Sequence, residues 1–132
     1  MKTWKEMLEC ARSVHGSREI SPFIDAGGVA AAILTESDNI YVGVSIDTSC
    51  SLGMCAERNA VANMITNGEN KIKRLVCVMR GGSLGLPCGA CREYLMQLSE
   101  DSPYIEILTD ENTERAVTLG ELMPNWWGTD RF

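Results

Sequence analysis

Residues 27–34 read GGVAAAIL, two glycines followed by six apolar side chains ending at Leu34. A run that is apolar on both faces and opens on glycines suits a strand buried at the centre of a sheet, not one with a solvated face. Its surroundings alternate in character. Upstream, Trp4, Met7, Leu8, Ala11 and Val14 or His15 recur at the three- and four-residue spacing of one helical face. That helix is expected to end near Gly16, with a turn at Ser21-Pro22 before the strand. Downstream, Glu36-Ser37-Asp38-Asn39 is a turn by composition, and Ile40 to Ile46 returns as a second strand, completing a hairpin. From Met54 the period becomes helical, with Ala56, Ala60, Val61, Met64 and Ile65 on one side and Asn67-Gly68 as a stop. Leu75 to Met79 has strand length, Gly81 to Pro87 is a glycine-rich loop, and Ala90 to Leu98 is helical. Tyr104 to Leu108 and Ala116 to Leu119 supply a fourth and a fifth strand. Helices alternating with strands predict a single α/β domain over residues 1–132, a three-layer α/β/α sandwich around a mixed five-stranded sheet.

Bulk composition narrows the function classes. The 132 residues are 45% hydrophobic and 23% charged, with a formal net charge of -6. Phosphate backbones call for a basic surface, so nucleic acid is not the expected partner, and an acidic surface does not attract an anionic membrane. A small neutral or cationic molecule meets no such objection. The longest apolar stretch, Gly27 to Leu34, falls far short of a membrane span, and the charged N-terminal residues lack the apolar core of a signal peptide. The cytoplasm is therefore the expected compartment. There the six cysteines are free, metal-bound or reactive, not paired as disulfides.

Two short strings carry the chemistry. Cys88 and Cys91 form a C-x-x-C pair at the start of a predicted helix, where residues three apart share a face. Tetrahedral zinc with Zn–S bonds of about 2.3 Å needs sulfurs about 3.8 Å apart, which this spacing can supply. The helix start adds free N–H groups that favour thiolate over thiol. Cys55-Ala56-Glu57 offers a third sulfur at another helix start, with a carboxylate two residues on. Three protein ligands leave a zinc position open to water, and a carboxylate beside that water, off the metal, can take its proton. Cys50 lies five residues before Cys55, as a fourth ligand that would close the site, in a substrate-facing loop, or simply buried. Cys77, within LVCVM, reads as a core residue, Cys10 belongs to the first helix, and His15, the only histidine, reads as solvated or capping. The loop from Gly81 to Gly85 lacks the lysine and spacing of a phosphate-binding loop and reads as a pocket rim.

The strings CAERNAV (residues 55–61) and PCGACRE (residues 87–93) together resemble the signature of the cytidine deaminase superfamily, in the branch with three cysteine ligands. The resemblance runs from about Gly28 to Pro124 and includes ELMP at residues 121–124. It implies hydrolytic deamination of cytidine, deoxycytidine or a related aminopyrimidine nucleoside, with zinc on Cys55, Cys88 and Cys91. Metal-activated water would attack the ring carbon bearing the amino group. Glu57 would carry a proton to the adjacent ring nitrogen and then help ammonia leave. Arg58 matches an arginine beside the thiolates, and the backbone N–H of Ala56 matches the partner of a substrate carbonyl oxygen. The family's ribose-binding Asn-x-Glu pair corresponds here to Ser45-Ile46-Asp47, and its strand-one phenylalanine to Gly27, which implies extra space. Those departures keep a deaminase of the nucleoside antibiotic blasticidin S as an alternative. A deaminase-fold module with purely structural zinc is a second. The resemblance also implies a homotetramer in pyrimidine salvage. The C-terminal Trp126 and Trp127 would either complete a substrate pocket or seal a subunit contact.

Overall fold

Thr3 begins the first helix because its hydroxyl accepts the Glu6 N–H while the Glu6 carboxylate accepts the Thr3 N–H, each at 3.1 Å. This capping box starts α1 (Trp4–Val14), whose Trp4, Met7, Leu8 and Ala11 form the buried stripe. The computed structural model describes residues 1–132. After α1 come β1 (Arg18–Ser21), β2 (Ile24–Thr35), β3 (Ile40–Thr48), α2 (Ala56–Thr66), β4 (Ile72–Val78), β5 (Leu84–Gly85) and α3 (Gly89–Met96). The chain closes with β6 (Glu106–Asp110), β7 (Arg115–Thr118) and the short α4 (Leu119–Leu122).

The glycine-alanine run is central, as its apolar character requires. Strand β2 pairs antiparallel with β3 on one edge and with β4 on the other. Ala30, Ala32 and Leu34 face α1 together with Val76, Val78 and Leu108. Ala31 and Ile33 face the opposite layer, where Leu75, Cys77 and Ile107 meet Ala60, Val61 and Met64 of α2 and Leu95 of α3. Both faces are thus covered, giving the three-layer sandwich. The sheet is mixed because β4 and β6 run parallel while the other pairs are antiparallel. No helix is long and apolar enough to cross a membrane.

The sheet has seven strands, not five. Five correspond to the expected ones, in the order β3-β2-β4-β6-β7. The two additions are β1, four mostly exposed residues paired to the start of β2, and β5, two residues in the glycine-rich loop. Neither has the length or apolar alternation that marks a strand in sequence. The expected strand at Tyr104 starts later, at Glu106, because Ser102–Tyr104 closes a 3-10 turn around Pro103. Leu119 leaves β7 to begin α4 under a second capping box, Thr118 with Glu121.

Antiparallel pairing brings the C-terminal ends of β3 and β4 to the N-terminal half of β2, which is irregular between Ala26 and Ala30. The starts of α2 and α3 converge there too. A cavity of ≈ 460 Å³ opens at this end of the sheet.

Candidate active site

Cys55 and Cys88 occupy the N-cap positions of α2 and α3, and neither side chain makes a capping hydrogen bond. The contrast with Thr3 and Thr118, which cap α1 and α4 through full capping boxes, is informative. Replacing an N-cap Ser, Thr, Asp or Asn by a residue that cannot cap costs about 1 kcal/mol. Two helices give up that stabilisation at the same place, and both place sulfur where the capping oxygen would be.

The sulfurs converge. Cys55 Sγ lies 3.9 Å from Cys88 Sγ, Cys88 Sγ lies 3.6 Å from Cys91 Sγ, and all three are within 4.8 Å of one another. Tetrahedral zinc with Zn–S bonds of about 2.3 Å calls for sulfurs about 3.8 Å apart, so this donor set fits that metal. The N–H of Cys91 holds the Cys88 thiol below its ordinary range, and the neighbouring sulfurs act in the same direction. Burial, with Glu57 nearby, pushes the Cys91 thiol up. A bound dication reverses the latter effect, since a coordinating thiol is deprotonated.

Two charged side chains of α2 complete this end of the cavity. Glu57 lines it and is buried, at 6% exposure. Arg58 directs Nη2 toward Cys55 Sγ at 3.8 Å, and Cys55 first, then Cys91, raises the guanidinium above its usual range. Its Nε is buried without a hydrogen-bond partner, and the bond to Cys55 Sγ is the contact that its guanidinium makes. Ala56, the first helical residue, also lines the cavity; helix-start N–H groups have no partner within the helix.

The other candidates divide. Ser45 and Asp47 both line the cavity. Ser45 is buried and its Oγ accepts the Val29 N–H at 2.9 Å; Asp47 forms an ion pair with Arg80 Nη2 at 2.9 Å. Trp126 and Trp127 do not reach the cavity of their own chain. Both indole N–H groups donate to Glu93 Oε1, at 3.0 and 3.1 Å, which fastens the C-terminal segment to α3. Cys50 is exposed on the cavity rim and stands outside the sulfur cluster, so it does not close the site as a fourth ligand. Cys77 is in the core, where burial pushes its thiol well up.

One expectation needs correction. Gly27 leaves no extra space: at φ +89° it sits in the irregular stretch of β2, and a Cβ there would collide with the Gly16 carbonyl and the Arg18 guanidinium. His15 is the C-cap of α1, as one of its two readings has it, with its N–H donating to Arg12 O at 3.3 Å, and its ring is engaged as well. Its Nε2 lies 3.1 Å from Gly28 O and 2.9 Å from Met79 O, and because carbonyls only accept, Nε2 carries the proton. Arg80 is the cavity residue that sequence reasoning missed. The available signal was the Gly27-Gly28 doublet inside a strand, which marks a bulge or a close approach.

Residues 2–106 match the family described as the cytidine and deoxycytidylate deaminase zinc-binding region. The cytidine deaminase of Mycobacterium tuberculosis is 32% identical over 103 residues, 77% of this chain and 74% of that protein. That of Mycoplasma genitalium is 28% identical over 97 residues, 72% of this chain and 75% of its own length. A solved glutamate-to-aspartate variant of the Mycobacterium tuberculosis enzyme superposes with a TM-score of 0.80 at 27% identity, covering 100% of both chains.

Proposed function

The chain belongs to the cytidine and deoxycytidylate deaminase family and is a zinc-dependent deaminase, and from that premise we propose that its substrate is cytidine, deoxycytidine or a related aminopyrimidine nucleoside. The observation that carries the proposal is the placement of buried Glu57 in a cavity lined by Cys55 and Cys88, two of the three converging sulfurs, with Cys91 buried behind them. A structural zinc site has no use for such a carboxylate.

Zinc, held by Cys55, Cys88 and Cys91, supplies Lewis acidity that makes water nucleophilic near neutral pH. Glu57 accepts the proton that water loses as its oxygen bonds to the ring carbon bearing the amino group, and delivers it to the adjacent ring nitrogen. A second proton passes through the same carboxylate to the amino nitrogen, the carbon–nitrogen bond breaks, and ammonia leaves. The Ala56 N–H donates to the ring carbonyl oxygen and sets the ring's orientation. Arg58 offsets the negative charge of the thiolates. Asp47 and the adjoining Ser45 meet the sugar.

We assign residues 1–132 as one deaminase domain acting in cytoplasmic pyrimidine salvage, where thiolate ligands stay reduced. The protein is proposed to be a homotetramer, with Trp126 and Trp127 covering a neighbouring subunit's site and with no nucleic acid or membrane partner. Exposed Phe23 (70%) and Leu52 (78%), in loops beside the cavity, support burial of this rim between subunits. A blasticidin S-type substrate loses one of its two supports, because Gly27 opens no room.

The test is ammonia release from cytidine, deoxycytidine and blasticidin S, with zinc content quantified and Glu57→Gln beside the wild type. The variant is expected to keep its zinc and lose about 10²–10⁴-fold in kcat. Stoichiometric zinc with no ammonia from any of the three would favour a structural metal module instead.

A further inference from the structure

Arg80, half-exposed at the cavity wall, is held by two contacts, and the backbone that carries one of them is itself fastened. A Cβ at Gly28 would lie 2.7 Å from Arg80 Cζ and would overlap Nη1, so the guanidinium fills the place of a side chain on β2. His15 fastens the backbone on both sides of this seat, through Gly28 O and Met79 O. Asp47 accepts from Nη2 at 2.9 Å. An arginine that merely dissolves the surface needs no such seat.

The pair also has complementary chemistry. Asp47 offers only acceptors, and the neighbouring Ser45 oxygen has one acceptor position taken by the Val29 N–H. Arg80 retains N–H groups beyond the one bonded to Asp47. A sugar hydroxyl is donor and acceptor at once, so its hydrogen can go to Asp47 while its oxygen accepts from Arg80. The ion pair is neutral in sum and stands on a chain of net charge -6, which suits a neutral hydroxylated arm better than a phosphate. We propose that Arg80 determines specificity at the outer end of the cavity, reading with Asp47 the hydroxyl groups of the substrate's sugar. This assignment rests on the nucleoside deaminase reading above.

The experiment compares kcat/KM for cytidine and for 2′,3′-dideoxycytidine in wild type, Arg80→Met and Gly28→Ala. Gly28→Ala displaces the guanidinium without deleting it, and the clash is relieved by the flexible end of Arg80, so the two variants test one contact by independent routes. The cytidine preference is expected to fall about ten- to hundredfold in both, the range for a hydrogen bond to a charged group. The loss should sit mainly in KM, with zinc content and melting temperature retained. An unchanged preference in either folded variant overturns the assignment alone. So does faster turnover of cytidine 5′-monophosphate than of cytidine by the wild type, which would make Arg80 an anion reader. No turnover of any nucleoside by zinc-loaded wild type overturns the deaminase reading, and this assignment with it.

Discussion

Gly43 is the hinge between fold and site, and Gly43→Ala is the substitution that tests it. The residue lies in β3, opposite Ala31, with ordinary extended backbone. An added Cβ would lie 2.6 Å from Ala56 O and 2.7 Å from Asn59 C, with the Ala60 nitrogen closer still. These are backbone atoms of α2 and cannot swing aside as a side chain can. Since carbon atoms pack best at about 3.5–4.0 Å, α2 must retreat by roughly 1 Å. Overpacking of this kind costs about 1–3 kcal/mol, partly offset by about 0.4–1 kcal/mol from the lower entropy of the unfolded alanine chain. A net loss of about 1–2 kcal/mol lowers the melting temperature by roughly 4–8 °C in a chain of this size. The retreat also moves Cys55 and Glu57 relative to Cys88 and Cys91, which sit on the other helix. Metal–ligand distances tolerate about 0.2 Å, so zinc affinity should fall at least about tenfold. Thermal melts of metal-free and zinc-loaded protein, with zinc titration against a chromophoric chelator, read both effects. Gly81→Ala is the control, because a Cβ there meets nothing within 4 Å. A Gly43→Ala protein that melts within about 1 °C of wild type and binds zinc equally would refute the packing of α2 on β3.

Three further outcomes follow from other parts of the molecule. Arg58→Gln should lower kcat on the order of tenfold while zinc content falls much less, because the guanidinium sits 3.8 Å from Cys55 Sγ and moderates ligand charge; equal activity per bound zinc would contradict this. Tyr41 Oη donates to Glu69 Oε2 at 2.6 Å and, with Thr35 and Asn39, holds that carboxyl at about 2, below its unfolded value of about 4.3. A depressed carboxyl stabilises the fold above the unfolded pKa and loses that contribution as pH falls toward 2, so the melting-temperature gap between wild type and Tyr41→Phe should shrink across that window. A gap constant from pH 6 to pH 2 would mean that the hydroxyl acts by packing alone. Iodoacetamide should spare Cys77 in the folded zinc-loaded protein and modify it on unfolding; early modification of Cys77 would contradict its place in the core.

The central strand and the helices on either side were legible because burial on both faces leaves a compositional mark and amphipathic helices keep their period. Trp4, Met7, Leu8 and Ala11 announce α1 without help from the rest of the chain. Strands β1 and β5 were not legible, since REIS is polar and exposed and β5 has only two residues. Their pairing is imposed by the neighbouring β2 and β4, not by local preference. The helical turn at α4 does carry a readable signal, Thr118 three residues before Glu121, although the apolar run from Ala116 to Leu119 favours a strand.

The two ends of the cavity differ in the same way. At the metal end the chain departs from local rules within a few residues: cysteines stand where capping oxygens belong, and a carboxylate is buried in the first turn of a helix. Local departures of that kind are visible in a linear string and signal chemistry that the fold alone does not need. At the outer end the same inference fails, because His15, Gly28, Asp47 and Arg80 come from four separate segments, and the Gly27-Gly28 doublet marks a close approach without naming its partner. Only the register of β2 against β3 and β4 makes one site of them. It follows that the reaction type is carried by short motifs and can be read early. The choice of substrate is carried by tertiary register, so a change as small as a methyl group at Gly28 should alter what the enzyme accepts while leaving its reaction type in place.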